Sequence, residues 1–244
     1  MTGKSMKPIG RNSLSIWWQT VVDWLFPKQC LGCSLEGDWL CPACRLRLKT
    51  KNICQCPLCR RRNLTGAVCE NCRTKSTLAG LWVVADYDNK LVQKIIQAIK
   101  YRFIIDLAGE FDSLIADYFL RFPAWSEDFV LVPIPLARKR FLARGFNQAE
   151  LICLSVQRNF KNQIEYLLKR DIFLSPQVEL DSRRRQENIS GNFSLAGQVD
   201  NHMLDRRLVL VDDVYTTGAT MQECAKVLHG AGFKEIWGLV IARN

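Results

Sequence analysis

The stretch Leu208-Val209-Leu210-Val211-Asp212-Asp213-Val214-Tyr215-Thr216-Thr217-Gly218-Ala219-Thr220 decides the reading of this chain. Val209, Leu210 and Val211 form a run too short for a helix and apolar on both faces, as in a strand of a parallel sheet covered by helices. Asp212 and Asp213 follow at its carboxyl end, where open α/β sheets place their ligands. Thr216 to Thr220 then offers hydroxyls and backbone N–H groups around Gly218, just ahead of the helical spacing Met221, Cys224, Ala225, Leu228. Free N–H groups and the positive end of the helix dipole make such a turn an anion site. A strand, an Asp-capped turn and a helix without a ligand is the plainer reading. Two adjacent acids, two hydroxyls, a glycine and a third hydroxyl are more specific than that reading requires.

Outward from this stretch the chain alternates strands and helices. Strands are expected at Leu81 to Tyr87, Phe129 to Ile134, Leu167 to Phe173, Leu208 onward and Ile236 to Ile241. Helices are expected at Leu91 to Tyr101 (Ile95, Ile96 and Ile99 inward), Leu107 to Leu120 and Asn147 to Val156. Such alternation predicts an α/β fold, a parallel sheet with right-handed crossovers. The string Val211 to Thr220 resembles the phosphoribosyl pyrophosphate motif of type I phosphoribosyltransferases. That resemblance implies helices on both faces of the sheet, ribose hydroxyls held by Asp212 and Asp213 with magnesium nearby, and a 5′-phosphate held by Thr216, Thr217, Gly218, Ala219 and Thr220.

The chain has 244 residues, 48% hydrophobic and 24% charged, and a net charge of +10. That is an ordinary globular composition with an attraction for polyanions. Nine of the eleven cysteines lie between Cys30 and Cys72, as the pairs Cys30/Cys33, Cys41/Cys44, Cys56/Cys59 and Cys69/Cys72 with Cys54 left over. Four C-x-x-C pairs supply two sets of four thiolates, enough for two structural zinc ribbons with no open coordination position. Sequential pairing of the motifs is the simplest, and an interleaved one is compatible with the spacing. Disulfide or redox use is the competing reading, and the C-x-x-C spacing points instead to metal in a reducing compartment. Cys153 and Cys224 fall on helix faces that bury a small thiol.

From Cys30 to Lys75 nine Lys or Arg face three acids, so this module carries +6 of the total. Arg60, Arg61 and Arg62 suit a phosphate backbone and Trp39 suits a base, which makes single-stranded DNA an expected partner; a merely solvated basic surface reads equally well. Ahead of the module, Lys4, Lys7 and Arg11 precede an apolar series from Leu14 to Phe26 broken by Gln19, Thr20 and Asp23. The series is too short and polar to span a bilayer and lacks a cleavage site. It is expected to form an amphipathic helix packed on the module, with a membrane-surface or partner-binding role as the alternative. The expected segments are residues 1–28 (helix), 29–76 (double zinc ribbon) and 77–244 (phosphoribosyltransferase-like domain).

Three further stretches bring cations and amides to loops: Lys100-Tyr101-Arg102; the loop after Val132-Pro133-Ile134-Pro135, with Arg138, Lys139, Arg140, Arg144, Asn147 and Gln148; and Gln177 through Arg183, Arg184, Arg185 and Asn188. Arg, Lys, Asn and Gln so placed would neutralise and hydrogen-bond a pyrophosphate. Together with Leu25-Phe26-Pro27 before Cys30, Arg144-Gly145-Phe146-Asn147-Gln148-Ala149-Glu150, and Arg185-x-x-Asn188-x-x-Gly191-x-Phe193, they resemble the ComF family from about Trp24 onward. Asn192 and Glu179 stand where that family more often has Ala and Gly. The resemblance implies a role in natural transformation and DNA uptake, working with the uptake machinery. It also implies binding of phosphoribosyl pyrophosphate and single-stranded DNA, and a cytoplasmic location with membrane association through partners. Asp212, Asp213, Arg144 and Arg185 are the expected catalytic set, with Lys100, Asn147, Gln148, Gln177 and Asn188 in substrate binding. Two alternatives stand beside it: a catalytically silent nucleic-acid adaptor, and a nucleobase-salvage phosphoribosyltransferase. His229, near the end of the last helix, reads as a surface group.

Overall fold

The computed structural model describes residues 27–122, 128–170 and 192–244. The chain divides into two compact units between Arg47 and Leu48, so the second cysteine cluster shares a unit with the sheet. The expected helix within residues 1–28 lies outside the described residues apart from its last two positions.

In the first unit, Cys30 to Cys33 forms one tight turn, with Ser34 N–H donating to Cys30 O at 2.8 Å. Cys41 precedes the single-turn helix α1 (Pro42–Arg45), whose first residue is a proline that sacrifices no helical hydrogen bond. The second unit opens with a repeat of this plan. The short strands β1 (Cys54–Gln55) and β2 (Arg62–Asn63) pair antiparallel around the turn Cys56 to Cys59, and Cys69 precedes α2 (Glu70–Arg73).

The main sheet has four parallel strands: β3 (Gly80–Asp86), β4 (Phe129–Pro133), β7 (Arg207–Tyr215) and β8 (Ile236–Arg243), in the order β3-β8-β7-β4. Its helices are α3 (Lys90–Arg102), α4 (Glu110–Arg121), α5 (Arg138–Arg144), α6 (Gln148–Phe160) and α7 (Ala219–Gly230). Side chains alternate across β7. Leu208 and Leu210 join Met221, Cys224, Ala225 and Leu228 of α7 on one face. On the other face α4 and α6 pack, and Trp82 is stacked on Trp237 at 4.5 Å and meets Phe119 and Phe129 edge-on at 5.7 and 5.3 Å. Helices therefore cover both faces of a parallel sheet, the expected α/β class.

Three local expectations are corrected. The segment at Leu168 belongs to no parallel ladder: β5 (Leu168–Arg170) pairs antiparallel with β6 (Phe193–Leu195) in a separate ribbon. Its pattern, a buried Leu followed by an exposed Lys and a half-buried Arg, suits a strand covered on one face. The expected helix from Leu107 begins as a 3₁₀ turn (Ile105–Gly109) and becomes α-helical at Glu110. The loop expected after Pro135 holds α5, a seven-residue helix with no buried residue that stops at Gly145 in the left-handed region (φ 77°).

Two features of the sheet position the site. β4 ends at Pro133, opposite Val211, and Ile134 N–H adds one last bond to Val211 O at 3.0 Å. Pro135 has no N–H to continue the ladder, so Asp212 and Asp213 run past the end of β4 and open a crevice on that side, while β8 still pairs with Asp212 through Val240. At the opposite edge, β3 is covered by the second cysteine module: Lys51 N–H donates to Val84 O at 2.8 Å, Val68 N–H to Ala79 O at 2.8 Å, and Leu81 N–H to Gly66 O at 2.9 Å.

Candidate functional site

The crevice is a cleft of about 300 Å³ lined by Lys100, Tyr101, Arg140, Arg144, Gln148, Arg170, Asp212, Asp213 and Thr220 among others. Asp213 is buried, and its Oδ2 lies 2.8 Å from Lys100 Nζ at the end of α3. Asp212 Oδ1 accepts the Asp213 N–H at 2.8 Å. Burial, and then the neighbouring charge of Asp213, push the Asp212 carboxyl up to about 7 against the pull of that N–H group, Lys100 and Arg170.

Next to the aspartates, Val214 to Met221 wraps a small depression of about 30 Å³. Gly218 takes φ 78°, and a Cβ there would fall 2.1 Å from Tyr215 Oη, so both the backbone and the space select glycine. α7 starts at Ala219, whose N–H donates to Thr217 Oγ1 at 3.3 Å, and Thr216 and Thr217 are exposed beside the depression.

The opposite wall is basic. Arg144 ends α5, lies 5.7 Å over the Tyr101 ring, and donates Nη1 to Gln148 Oε1 at 3.0 Å. Gln148 is 5% exposed and its Nε2 has no partner among the described residues, a buried donor facing the cleft. Asn147 is engaged by the chain itself: its Oδ1 caps α6 by accepting Ala149 N–H at 3.1 Å, and its Nδ2 donates to Ile134 O at 3.0 Å, tying the loop to the end of β4. Arg140 and Arg170 also reach the cleft. Arg140 was among the loop cations expected to neutralise a pyrophosphate, though not singled out for the binding set, whereas Arg170 was missed because only pairing with Phe193 across the ribbon places it there. Gln177, Arg185 and Asn188 lie outside the described residues.

The cysteines gather sequentially. In each of the sets Cys30, Cys33, Cys41, Cys44 and Cys56, Cys59, Cys69, Cys72 the four Sγ atoms lie within 4.8 Å of one another. A tetrahedral zinc with bonds near 2.3 Å needs sulfur separations of about 3.8 Å, and Cys33 to Cys41 measures 3.7 Å and Cys59 to Cys69 3.5 Å. Burial raises the Cys30 and Cys56 thiols, but backbone N–H groups, Cys41 and Gly32 among those at Cys30 and Cys69 among those at Cys56, outweigh it and bring both down to about 6. Burial raises Cys44 and Cys72 to about 12, so it is the sulfur spacing that suits both sets to a thiolate-bound metal. Cys54 joins neither; it is buried with Sγ 3.5 Å from Tyr118 Oη. No described helix is long and apolar enough to cross a membrane.

No family model matches the chain. It is 38% identical over 119 residues to competence protein F of Haemophilus influenzae, covering 46% of this chain and 50% of that protein. Over 112 residues it is 35% identical to the DNA utilization protein YhgH of Escherichia coli, covering 45% and 48%. With competence protein ComFC of Bacillus subtilis it shares 29% over 145 residues, 59% and 56% of the two chains. The chain thus spans about half the length of the curated relatives it matches. Among solved structures it is similar, at 14% identity, to a purine phosphoribosyltransferase from Pyrococcus horikoshii (TM-score 0.30, 59% of this chain and 84% of that one). It is likewise similar to the glutamine phosphoribosylpyrophosphate amidotransferase from B. subtilis (14% identity, TM-score 0.35, 55% and 25%). Over these stretches, about half of its length, the chain is similar to competence and DNA utilization proteins.

Proposed function

We propose that the cleft binds phosphoribosyl pyrophosphate and that the chain serves the handling of DNA in uptake, with zinc in both cysteine clusters. One observation carries the ligand: a glycine turn at a helix N-terminus, two carboxylates and four cations (Lys100, Arg140, Arg144, Arg170) converge on one cleft. The turn from Thr216 to Thr220 suits the 5′-phosphate, Asp212 and Asp213 accept from the ribose hydroxyls, and the cationic wall with the spare Gln148 amide suits the pyrophosphate. Magnesium carried on the pyrophosphate would supply further charge neutralisation. Lys100 must share or surrender Asp213 when a sugar hydroxyl arrives, so the ion pair is a ligand-displaceable contact.

A second reading, transfer of the phosphoribosyl group to a nitrogen nucleophile, draws support from Asp212. A carboxyl held near 7 lies in the range of a working general base. In that reaction the bond from the anomeric carbon to the pyrophosphate oxygen breaks, a bond to the acceptor nitrogen forms, and the acceptor's proton passes to a base. The binding reading is tested by thermal shift. Phosphoribosyl pyrophosphate with magnesium at about 100 times its Kd should stabilise the protein by about 2.7 kcal/mol, some 5–10 °C for a chain of this size. No shift at saturating ligand refutes binding.

The name DNA utilization protein supports DNA as a partner, and the basic module suits its phosphates, with single-stranded DNA the form proposed. Arg60 donates to Asn244 O at 3.3 Å, whereas Arg61 and Arg62 stand exposed beside the turn. Changing Arg61 and Arg62 to Ala should weaken single-strand binding and reduce the slope of log affinity against log salt by about 1.4. An unchanged slope removes the pair from the DNA path.

A further inference from the structure

The second cysteine cluster lies outside the cleft, yet each of its two turns is wired to the glycine loop. From the first turn, Pro57 O accepts Arg243 Nη2 at 2.6 Å at the end of β8. The same guanidinium lies 5.3 Å over the Tyr215 ring, and Asn244 N–H donates to Tyr215 O at 3.1 Å. Tyr215 is 6% exposed, and its ring fills the space where a Cβ of residue 218 would be. From the second turn, Lys75 N–H donates to Cys72 O at 3.0 Å, and the chain passes directly into Ser76 and Thr77. Gln222 Oε1 accepts Thr77 N–H at 2.8 Å, and Gln222 Nε2 donates to Ser76 Oγ at 3.3 Å. Farther along α7, His229 Nε2 lies 2.7 Å from Thr77 O. Gln222 N–H donates to Gly218 O at 2.9 Å, so the second route ends on the same glycine against which the Tyr215 ring packs.

We propose that Tyr215, Gln222 and Arg243 are positioning residues through which the second metal centre sets the geometry of the Thr216–Thr220 loop. Metal retention at Cys56, Cys59, Cys69 and Cys72 and anion binding in the loop then strengthen one another. The inference rests on the reading that this loop takes a phosphate. Linkage makes the coupling reciprocal: if the metal favours the ligand-ready loop, the ligand must favour retention of the metal. The routes are contiguous packed and hydrogen-bonded contacts, which supply the physical connection that such coupling uses.

The test uses the full chain loaded with zinc and carrying Cys30→Ser and Cys33→Ser, which leaves the second centre as the complete four-thiolate site. Zinc release to a chromogenic chelator is followed with and without phosphoribosyl pyrophosphate in excess magnesium, and ligand binding is measured on the same samples by thermal shift. The ligand is expected to slow release about fivefold or more, the lower range of measured couplings. Gln222→Ala and Arg243→Lys should still bind ligand, more weakly, and lose most of the slowing. An Asp212→Asn, Asp213→Asn variant should show none, which controls for zinc capture by the ligand itself. Release that ignores a ligand shown to bind, or slowing that survives in both Gln222→Ala and Arg243→Lys, overturns the coupling. Absence of binding by the parent overturns the phosphate reading, and the coupling with it.

Discussion

Replacing Cys56 and Cys59 by serine is expected to lower the melting temperature of the sheet-bearing unit by about 10 °C or more, whereas the same change at Cys30 and Cys33 should leave that transition nearly unmoved. The asymmetry follows from which unit each cluster serves. The second module covers an edge strand of the sheet by backbone pairing at Lys51, Gly66 and Val68, and Trp82 Nε1 donates to Thr65 O at 3.0 Å. Its own apolar core is small: Cys56, Val68 and Cys72, with Leu58 and Cys69 packed against them. A core of that size does little to hold the segment's backbone against its conformational entropy, and a metal held by the four thiolates would supply the difference. Metal binding contributes roughly 10–16 kcal/mol in isolated zinc modules. Loss of even about 4 kcal/mol would produce the stated shift, at some 2–4 °C per kcal/mol. The uncovered edge of β3 would then present unpaired N–H and C=O groups, so aggregation should accompany melting. Differential scanning fluorimetry with zinc content on both double variants decides the matter. Equal destabilisation by the two refutes the structural role assigned to the second centre.

Much of this was legible in sequence because the decisive residues are contiguous. In Leu208 to Thr220 the strand, both acids, the glycine turn and the helix start occupy thirteen successive positions, so local patterning specifies one wall of the cleft and the depression beside it. The cysteine pairing was legible only in part: sequential closure uses the shortest loops and the two clusters form that way, but the spacing alone was also compatible with an interleaved pairing. The basic wall was harder to read. Lys100 meets Asp213 through the packing of α3, and Arg170 reaches the cleft through a ribbon whose partner strand lies far along the chain. Neither relation leaves a periodic trace. α5 was invisible because helical patterning is detected by a buried stripe, and this helix buries none of its residues. His229 illustrates a different loss. It is exposed, as its place near a helix end suggested, but its ring nitrogens each lie 2.7 Å from a carbonyl oxygen, of Phe233 and of Thr77. Only the fold brings Thr77 there.

Asp212→Asn is expected to raise the melting temperature of the ligand-free protein by about 3 °C or more at pH 8 while abolishing its stabilisation by phosphoribosyl pyrophosphate. The sign follows from the carboxyl itself. In the unfolded chain it ionises near 3.8, and in the cleft burial and Asp213 hold it near 7. Between those values the folded protein keeps a proton that the unfolded chain has released, so this group's contribution to stability falls as pH rises through the window. Above pH 7 the cost of the ionised form is fully developed, with an upper bound of about 4 kcal/mol. Asparagine removes that cost and keeps an Oδ1 able to accept the Asp213 N–H. It also leaves Asp213 alone with Lys100, a neutral pair where there had been an extra negative charge. The gain should therefore shrink toward pH 5, where the wild-type carboxyl is already protonated. Ligand binding moves the other way, because a ribose diol and magnesium-bearing pyrophosphate favour the charge that the empty site disfavours. A variant less stable than wild type at pH 8, or one that keeps the ligand-induced shift, contradicts this account. A stability gain that appears at pH 8, fades at pH 5 and coincides with lost binding would show that the cleft keeps a destabilising carboxylate for its ligand.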